Sequence, residues 1–597
     1  MSTIDGPPRR PGELAALLVV YLALAAAYSL STPLFEGPDE AYHYPVVQHI
    51  AATGALPVMQ PGMETAWQQE ASQPPLYYLI AAGLTALIDT GDMPQVRRLN
   101  PHRKVGVIAD PDNKNLALHG PAEAFPWYGT VLAVRLVRLF SLALGGLTVA
   151  IVYHTAPVVW PDKPDYPLLA AALVAFNPMF LYLSGVVSND NLAITLGCWA
   201  MLLLARMLRS GITRRRAVTA AVVIALAALT KLSGLLLLPL AAVVYAVQAW
   251  RGQRREALMA TGLLLGTWLA LAGWWYVRNL ALYGELLGTG THIAIIGART
   301  GPPDLSSEWR ALWVSFWGLF GAANIMAGPF LYRFTSALSL VALAGVIAWL
   351  TGQGRLYGRA ELLLPGLLIA QIALTLAGLI RWTTLTYGTQ GRLLFPAVGS
   401  LALLMAAGLL YLVPPHWKSV MIAGTILPLV AVAVTIPFTV IMPAYEPPPE
   451  AAQMPAGAAP IGARFGGLEL VGALVEPVSG PGVRLPVTLY LRAIEPLSDE
   501  YSLRLTVLNT AGEPVASLMT YPGGGSLPTP QMAPRALYED HYSIRLPDDL
   551  APGLTLRVRI EAGRLDESGN TFYSYAPINS DGEPLEQIMI EGSIGRP

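Results

Sequence analysis

Residues 13–31 read ELAALLVVYLALAAAYSLS, and this long apolar stretch decides the class of fold. An α-helix needs about 20 apolar residues to cross the hydrocarbon core of a bilayer. The stretch follows Arg9 and Arg10, as in a secretory signal, and the alanines at 25–27 resemble a cleavage site. We interpret it as a retained first transmembrane helix, because it is long enough to span the membrane.

The composition of the whole chain agrees with a membrane protein. Of its 597 residues, 54% are hydrophobic and only 13% are charged, whereas soluble proteins carry about 25% charged residues. The formal net charge is −1, so no basic field points to a nucleic acid partner. The single cysteine, Cys198, lies in an apolar run and cannot form an intrachain disulfide.

Apolar runs of this kind recur through the first three quarters of the chain. They predict about eleven transmembrane helices, at residues 13–31, 130–157, 167–186, 191–208, 217–232, 234–250, 257–276, 330–350, 361–380, 391–412 and 418–442. The segment 32–129 is too long for a simple connector. Within it we predict a helix on the membrane surface at Asp39–Thr53 and an interfacial or re-entrant helix at Ser72–Ile88. A similar helix is predicted at Trp309–Gly328.

Basic residues collect at the same side of the predicted transmembrane helices. They collect at five places, namely Arg9 with Arg10, Arg209 with Arg214–Arg216, Arg251 with Arg254 and Arg255, Arg355 with Arg359, and Lys418. The positive-inside rule makes these sites and the N-terminus cytoplasmic. Segments 32–129, 187–190, 277–329, 381–390 and all residues after 443 then lie outside. We therefore expect a multi-pass protein of the cytoplasmic membrane.

A second domain follows the predicted membrane domain 1–443. Residues 444–462 are rich in proline and alanine and predict a linker. After them the hydrophobic period changes from helical to two, as in Leu485–Leu491, and turn signals such as Ser479–Gly482 separate the runs. This pattern predicts an extracytoplasmic all-β sandwich over residues 463–597.

The segment Glu36-Gly37-Pro38-Asp39-Glu40-Ala41-Tyr42-His43 follows the first helix directly. In a purely structural interpretation Asp39 caps the next helix and Glu40 is a first-turn acid that the helix dipole favours. In the functional interpretation one of Asp39 and Glu40 is a general base. The other acid, together with His43 on the same helix face, would orient the base or bind the acceptor.

Further polar residues are expected near the outer face. Asp190, in the short turn Ser188-Asn189-Asp190-Asn191, either caps a helix or is a second acid facing Asp39. Cations there either extend to lipid headgroups or converge on a phosphate, which arginine binds in a bidentate manner. Outer aromatic residues either form an interfacial belt or stack on a sugar. The residues concerned are Arg138, Lys231, Arg278 and Arg392, and the aromatic Tyr77 and Tyr78.

Taken together, residues 13 to about 443 resemble the GT-C superfamily of membrane glycosyltransferases. The chain is similar in particular to a bacterial subgroup with a Pro-Asp-Glu-x-x-His signature, related to protein O-mannosyltransferases and lipid A aminoarabinose transferases. The C-terminal domain is similar to β-sandwiches appended to such proteins. The resemblance rests on the acidic pair 39–40, Gln73-Pro74-Pro75-Leu76-Tyr77-Tyr78, the turn 188–190, Trp275-Tyr276-Val277-Arg278-Asn279 with Tyr283-Gly284, and Gln390-Gly391-Arg392.

The resemblance implies a polyprenyl-phosphate-sugar donor and inverting transfer to a hydroxyl of a glycan, lipid or protein acceptor. It implies Asp39 or Glu40 as the base, and carries over less strongly to Asp190. No metal-ligand spacing stands out and no cofactor is firmly predicted, although a divalent ion between Asp39, Glu40 and the donor phosphate is compatible with some superfamily members. Substrate-binding residues are expected at His43, Tyr77, Tyr78, Arg138, Lys231, Arg278, Asn279, Tyr283, Gln390 and Arg392.

Two other functions stay open. A transporter or flippase for lipid-linked glycans would need inverted repeats and broken midplane helices, and the sequence shows no such internal symmetry. A non-catalytic scaffold, whose sandwich binds glycan or a partner protein, is compatible with the same fold, because function depends on the site rather than on the fold.

Overall fold

The computed structural model describes residues 11–105, 113–352, 362–479, 483–548, 550, 555–566 and 569–595. The chain divides into two compact units. The first comprises Met1–Pro33, Gly37–Met93 and Tyr128–Ile441, and the second comprises Leu34–Glu36, Pro94–Trp127 and Met442–Pro597. The expectations for Arg9, Arg10, Arg355, Arg359 and the turn at Gly480–Gly482 lie outside the described residues.

Helices long and apolar enough to cross a membrane build the first unit, so the chain is a multi-pass membrane protein. Within the described ranges nine helices meet this criterion, and a bent pair, Tyr166–Ala175 with Pro178–Ser184, makes a tenth if it counts as one span. The nine are Gly12–Ser31, Gly129–Val159, Asp190–Ser210, Leu232–Trp250, Arg254–Tyr283, Pro329–Gly352, Leu363–Leu385, Gly391–Tyr411 and Pro415–Tyr445.

The remaining predicted span, 217–232, is a helix of only 15 residues, Arg214–Ala228. Lys231, just beyond its end, lies 2.6 Å from Asp190, the first residue of the helix Asp190–Ser210. The residues between Ser210 and Lys231 therefore run antiparallel to the helix Asp190–Ser210 and return the chain to the N-terminal end of that helix. The short helix thus completes the up-and-down course that the apolar runs predict, although it falls short of a typical span.

The helix Asp190–Ser210 is the centre of the first unit. In its most apolar window 89% of the residues are buried, compared with 22% in Pro329–Gly352 at the lipid-facing side. Two other helices, Pro329–Gly352 and Gly391–Tyr411, also pack closely, since a Cβ atom on Gly345 would lie 2.0 Å from the carbonyl oxygen of Gly408. Small residues let membrane helices approach closely where no hydrophobic force drives them together. Asp190 consequently stands at the end of the most buried of the nine long helices.

Shorter elements lie between the spans. The two predicted interfacial helices of the first loop are present at Glu40–Thr53 and Leu76–Thr85. The segment Trp309–Gly328 differs from the prediction, because the helix Leu305–Trp317 ends there and a two-stranded hairpin follows, with Gly321 at φ 62°. The hairpin pairs Leu319–Phe320 with Ile325–Met326, and further short helices are Gln68–Ser72, Met93–Val96, Pro121–Glu123 and Thr289–Ile296.

The second unit is a sandwich of two mainly antiparallel sheets, which confirms the all-β prediction. Leu485, Leu489, Leu505 and Leu556 are fully buried in a core that both sheets share, as the period of two requires. One sheet runs in the order Ala459–Phe465, Leu468–Val475, Arg484–Ala493, Leu537–Arg545. The other runs in the order Val478–Ser479, Ile588–Gly595, Thr555–Leu565, Ser502–Leu508, Pro514–Thr520, with Phe572–Ser574 beside Thr555–Leu565.

The boundaries of this unit differ from those expected. Its first strand begins at Ala459, inside the predicted linker 444–462. Pro94–Trp127, assigned from the sequence to the membrane domain, also belongs to it. His102 Nε2 lies 2.8 Å from Ser502 Oγ, and Asn113 Nδ2 donates to the carbonyl oxygen of Met519 at 2.8 Å. Part of the first long loop is therefore folded together with the sandwich.

Candidate active site

Asp39 stands between the first span and the helix Glu40–Thr53. Its backbone is left-handed, at φ 59°, and its side chain makes no capping hydrogen bond. Its carboxylate instead accepts a hydrogen bond from Nη2 of Arg392. The side chain is 35% exposed, so a substrate can reach it. The structure thus does not support the interpretation of Asp39 as a helix cap.

Asp190 and two cations complete a linked group of charges with Asp39. Lys231 Nζ donates to Asp190 Oδ1 at 2.6 Å, and Arg392 Nη1 donates to Asp190 Oδ2 at 3.2 Å. Gln390 Oε1 accepts from Arg392 Nε at 2.6 Å and so fixes the guanidinium plane. Asp190 is nearly fully buried. We call Asp39, Asp190, Lys231 and Arg392 the ion cluster.

A second group of side chains adjoins Asp39. Nδ1 of His43 lies 2.7 Å from the hydroxyl of Tyr78 and 3.2 Å from Oε2 of Glu70. Asp39, His43 and Glu70 each present a nitrogen or oxygen atom, and these atoms all lie within 4.8 Å of one another. The helices Glu40–Thr53 and Leu76–Thr85 and the turn Gln68–Ser72 position this group.

Glu70 was missed by the sequence analysis. It is buried, with 4% of its surface exposed. An acid close before the Gln73–Tyr78 segment, in a stretch otherwise without charge from Trp67 to Ile88, was the signal available in the sequence.

The surroundings of Asp39, His43 and Glu70 determine which of these side chains holds a proton. Burial by itself raises the pKa of Asp39, but the charges of Arg392 and Lys231 outweigh it and hold that pKa below its usual value. Burial, assisted by the charge of Asp39, raises the pKa of Glu70 to about 8. Burial lowers the pKa of His43 to about 4. Near neutral pH, Asp39 is therefore ionised, His43 is neutral and Glu70 tends to hold a proton.

Glu40 lies apart from this arrangement, contrary to its expected role as a base. Its carboxylate accepts from Nε and Nη2 of Arg138 at 2.8 and 2.6 Å and from the backbone N–H of Val187 at 2.8 Å. The side chains of Glu40 and Arg138 are both fully buried. Arg138 also donates to the carbonyl oxygens of Ser29 and Thr32. Neither side chain faces a space that a substrate could enter, so both tie helices together.

Four other residues that were expected to bind substrate form hydrogen bonds to other residues of the chain. Tyr77 is buried, with its hydroxyl 2.7 Å from Ser141 Oγ. Arg278 Nη2 donates to the carbonyl oxygen of Pro57 at 2.8 Å. The hydroxyl of Tyr283 accepts from the backbone N–H of Met59 at 3.1 Å, and Asn279 Nδ2 donates to the carbonyl oxygen of Leu286 at 3.4 Å. Arg278 and Tyr283 thus hold residues 57–59 of the first loop.

Comparison with known proteins gives a partial match to one family. The family model described as dolichyl-phosphate-mannose-protein mannosyltransferase matches residues 121–284, a segment that carries Asp190 and Lys231 of the ion cluster. The match covers about a quarter of the chain and makes that part of the chain similar to a glycosyltransferase family. No curated protein sequence matches the chain.

Several solved structures are similar to the chain. ArnT from Cupriavidus metallidurans, bound to undecaprenyl phosphate, has 14% identity and a TM-score of 0.40, over 73% of this chain and 74% of that chain. The arabinofuranosyltransferase AftD from Mycobacteria has 17% identity and a TM-score of 0.41, over 72% and 28%. The Archaeoglobus fulgidus oligosaccharyltransferase has 14% identity and a TM-score of 0.36, over 72% and 52%.

Proposed function

We propose that this enzyme transfers a sugar from a polyprenyl-phosphate donor to an acceptor hydroxyl outside the cytoplasm, with inversion at the anomeric carbon. The observation that carries the proposal is the ion cluster, in which a reachable carboxylate, Asp39, stands beside two cations at the ends of membrane helices. A lipid-linked donor presents its phosphate at the same level as the helix ends.

Asp39 is the acid best suited to act as the base. It is 35% exposed, whereas the side chain of Asp190 is 1% exposed and bound by two cations. The lowered pKa of Asp39 keeps it ionised at neutral pH, and its neighbour Glu40 is occupied by Arg138. Asp39 accepts the proton of the acceptor hydroxyl as that oxygen forms a bond to the anomeric carbon. His43 lies beside Asp39 and contacts the acceptor.

Lys231 and Arg392 are the phosphate-binding residues of this proposal. The bond from the anomeric carbon to the phosphate oxygen breaks with its electron pair staying on that oxygen, and the two cations stabilise the resulting charge. Asp190 pairs with both cations and so holds them in position. Because a phosphate leaves readily, one base and two cations suffice. Attack and departure on opposite sides of the sugar invert its configuration.

The proposed orientation follows from the basic residues. Arg209, Arg214–Arg216, Arg251 and Lys418 flank the ends of spans opposite the ion cluster, and the positive-inside rule makes those ends cytoplasmic. The ion cluster and residues 450–597 then lie outside. A cysteine placed at the exposed Ser498 should be labelled from outside in intact cells, and one placed at Gly211 should not be. The reverse pattern would contradict the orientation and the proposed site.

Asp39→Asn tests the mechanism directly. Loss of a general base lowers the rate by about 10²–10⁴, so transfer from a polyprenyl-phosphate sugar should fall by that order. Donor binding and the elution volume of the purified protein should not change. Asp304→Asn is the matched control, because Asp304 is an exposed helix cap outside the ion cluster and should leave the rate unaltered. Near-normal transfer by a folded Asp39→Asn variant would rule out the mechanism.

A further inference from the structure

We infer that a cleft within the second unit binds a neutral carbohydrate, at a place separate from the ion cluster. The cleft has a volume of about 570 Å³, within the range of about 300–1,000 Å³ that is typical of small-molecule sites. Residues 94–98 and 118–123 of the first long loop line it together with Gln531, and all of them belong to the second unit.

The lining of the cleft combines apolar side chains with amide groups. Val96 and Leu118 are buried and form an apolar floor, whereas Gln95 and Gln531 are exposed. Nε2 of Gln531 donates to the carbonyl oxygen of His119, which fixes this amide at the edge of the cleft. A side-chain amide both donates and accepts hydrogen bonds, as a sugar hydroxyl does. The C–H groups of a sugar ring can pack on the apolar floor, so a sugar matches both parts of the lining.

The charged residues of the cleft already have partners of opposite charge. Nη1 of Arg98 donates to Oε1 of Glu500 at 2.9 Å. Oε1 of Glu123 lies 2.6 Å from Nδ1 of His119, and its Oε2 accepts from the backbone N–H of Leu34 at 3.1 Å. Ionic recognition needs a charge that is complementary to that of the ligand. Since each charge in the lining is compensated, the cleft suits an uncharged ligand.

The backbone groups of the lining are engaged as well. The backbone N–H of Leu118 donates to the carbonyl oxygen of Arg98 at 2.8 Å. The backbone N–H of Glu123 donates to the carbonyl oxygen of Gly120 at 3.1 Å. An extended peptide that binds as an added strand needs exposed backbone groups at a sheet edge. These internal hydrogen bonds therefore favour a ligand that is held by side chains, as a carbohydrate is, over a peptide strand.

Gly120 keeps one wall of the cleft free of a side chain. Its φ of −157° is extended backbone that any residue adopts, so the conformation does not require glycine. A Cβ atom on Gly120 would lie 3.3 Å from Nε2 of Gln531, which also lines the cleft. A larger side chain at this position would consequently occupy the space of the ligand without straining the backbone.

The test measures carbohydrate binding by the full-length protein in a detergent without a sugar headgroup. The probes are soluble neutral oligosaccharides of glucose, mannose, galactose, arabinose or N-acetylglucosamine, each titrated separately by calorimetry. We expect at least one of them to bind. Its affinity should change little between low and high salt, because salt screens charged contacts and the contacts here are uncharged.

Variants of the lining locate the binding. Gly120→Leu should weaken it by about tenfold or more, since a misfit of one methylene in a pocket costs about 10–200-fold. Gln95→Leu should weaken it by about threefold to tenfold, as the loss of one hydrogen bond does. The matched controls are Gly457→Leu, at an exposed glycine where a Cβ atom would meet nothing within 4 Å, and Gln453→Leu, at an exposed glutamine. Both lie outside the cleft and should bind as the natural protein does.

Three results would overturn the inference. These are no binding of any neutral oligosaccharide, equal affinity in Gly120→Leu and the natural protein, or a loss in Gly457→Leu as large as in Gly120→Leu. Binding is measured without turnover. A protein that binds the oligosaccharide but transfers no sugar would therefore keep this inference and remove the proposed function.

Discussion

Asp39 and Glu40 are adjacent, yet the structure gives them different surroundings. Asp39 precedes the helix with a left-handed backbone and Glu40 is the first helical residue. Glu40 is paired with the buried Arg138, while Asp39 is paired with Arg392. The sequence identified the acidic pair but could not separate the two acids, because their partners are 98 and 353 residues away. Glu70 escaped notice for the same reason, since only the fold brings it next to His43.

Glu40→Gln should therefore affect folding rather than chemistry. Breaking a fully buried ion pair costs about 3–5 kcal/mol, because the remaining charge loses its counter-charge, and Arg138 would keep only its hydrogen bonds to backbone carbonyl oxygens. The expected result is a lower thermal unfolding temperature and a poor yield of Glu40→Gln, whereas Asp39→Asn is stable and inactive. If the Glu40→Gln variant is stable and loses as much activity as Asp39→Asn, Glu40 rather than Asp39 would be the candidate base.

Arg392→Lys tests the phosphate-binding role. Lysine keeps the charge but loses the planar fork with which Arg392 contacts Asp39 and Asp190 together. Losing a charge-assisted hydrogen bond costs about 1.5–3 kcal/mol, so the affinity for a polyprenyl-phosphate donor should fall by that amount. Donor binding by Arg392→Lys that equals that of the natural protein would argue against the phosphate contact. Arg381, an exposed arginine outside the ion cluster, offers the matched change Arg381→Lys.

At the scale of secondary-structure elements, hydrophobic periodicity predicted the long helices and the strands, because the local sequence encodes both. Apolar runs gave the bounds of the long helices to within seven residues, and alternation from Leu485 to Leu491 gave a strand of the sandwich. The short run 217–232 predicted the 15-residue helix Arg214–Ala228 with bounds shifted by three to four residues. The apolar segment from 309 differs from its prediction, because Gly318 and Gly321 interrupt it and it forms a helix and a hairpin.

The residues of the Trp275–Tyr283 motif support a loop rather than the ion cluster. Arg278 and Tyr283 both bind backbone groups of residues 57–59. Arg278→Ala should therefore speed hydrogen exchange in that segment and leave exchange in the helix Glu40–Thr53 unaltered. Faster exchange around Asp39 instead, or none anywhere, would show that Arg278 does not act through this contact.

At the scale of the whole molecule, the composition predicted a membrane part and a β domain, but not which loop folds with the sandwich. That assignment depends on contacts across some 400 residues, such as Arg98 with Glu500 and His102 with Ser502. Truncation after Pro449 therefore removes the partner of Pro94–Trp127. The truncated protein should be cleaved by protease within that segment while its helices stay protected. Resistance of the segment would show that it folds without the sandwich.

The stability of the second unit should depend on pH. Burial by itself lowers the pKa of His119, but Glu123 and Glu36 outweigh it and raise that pKa from 6.5 to about 10. A raised pKa means that the folded state binds the proton more tightly, so this stabilisation is complete below pH 6.5 and is lost as the pH rises through about 10. The unfolding temperature of the sandwich should fall over that range, and His119→Gln should flatten the fall. Identical pH profiles would contradict the assignment.

The 15-residue helix Arg214–Ala228 has a consequence for the surrounding lipid. At 1.5 Å per residue it covers about 22 Å, less than the hydrocarbon thickness of about 30 Å. In the proposed orientation Arg214 lies among the cytoplasmic headgroups, so the end of the helix at Lys231 would lie below the opposite surface and the bilayer would thin locally. This hydrophobic mismatch would bring lipid phosphates to the level of Lys231. Turnover should consequently decline in vesicles of long-chain lipids, because a thicker bilayer raises the donor headgroup away from the cation.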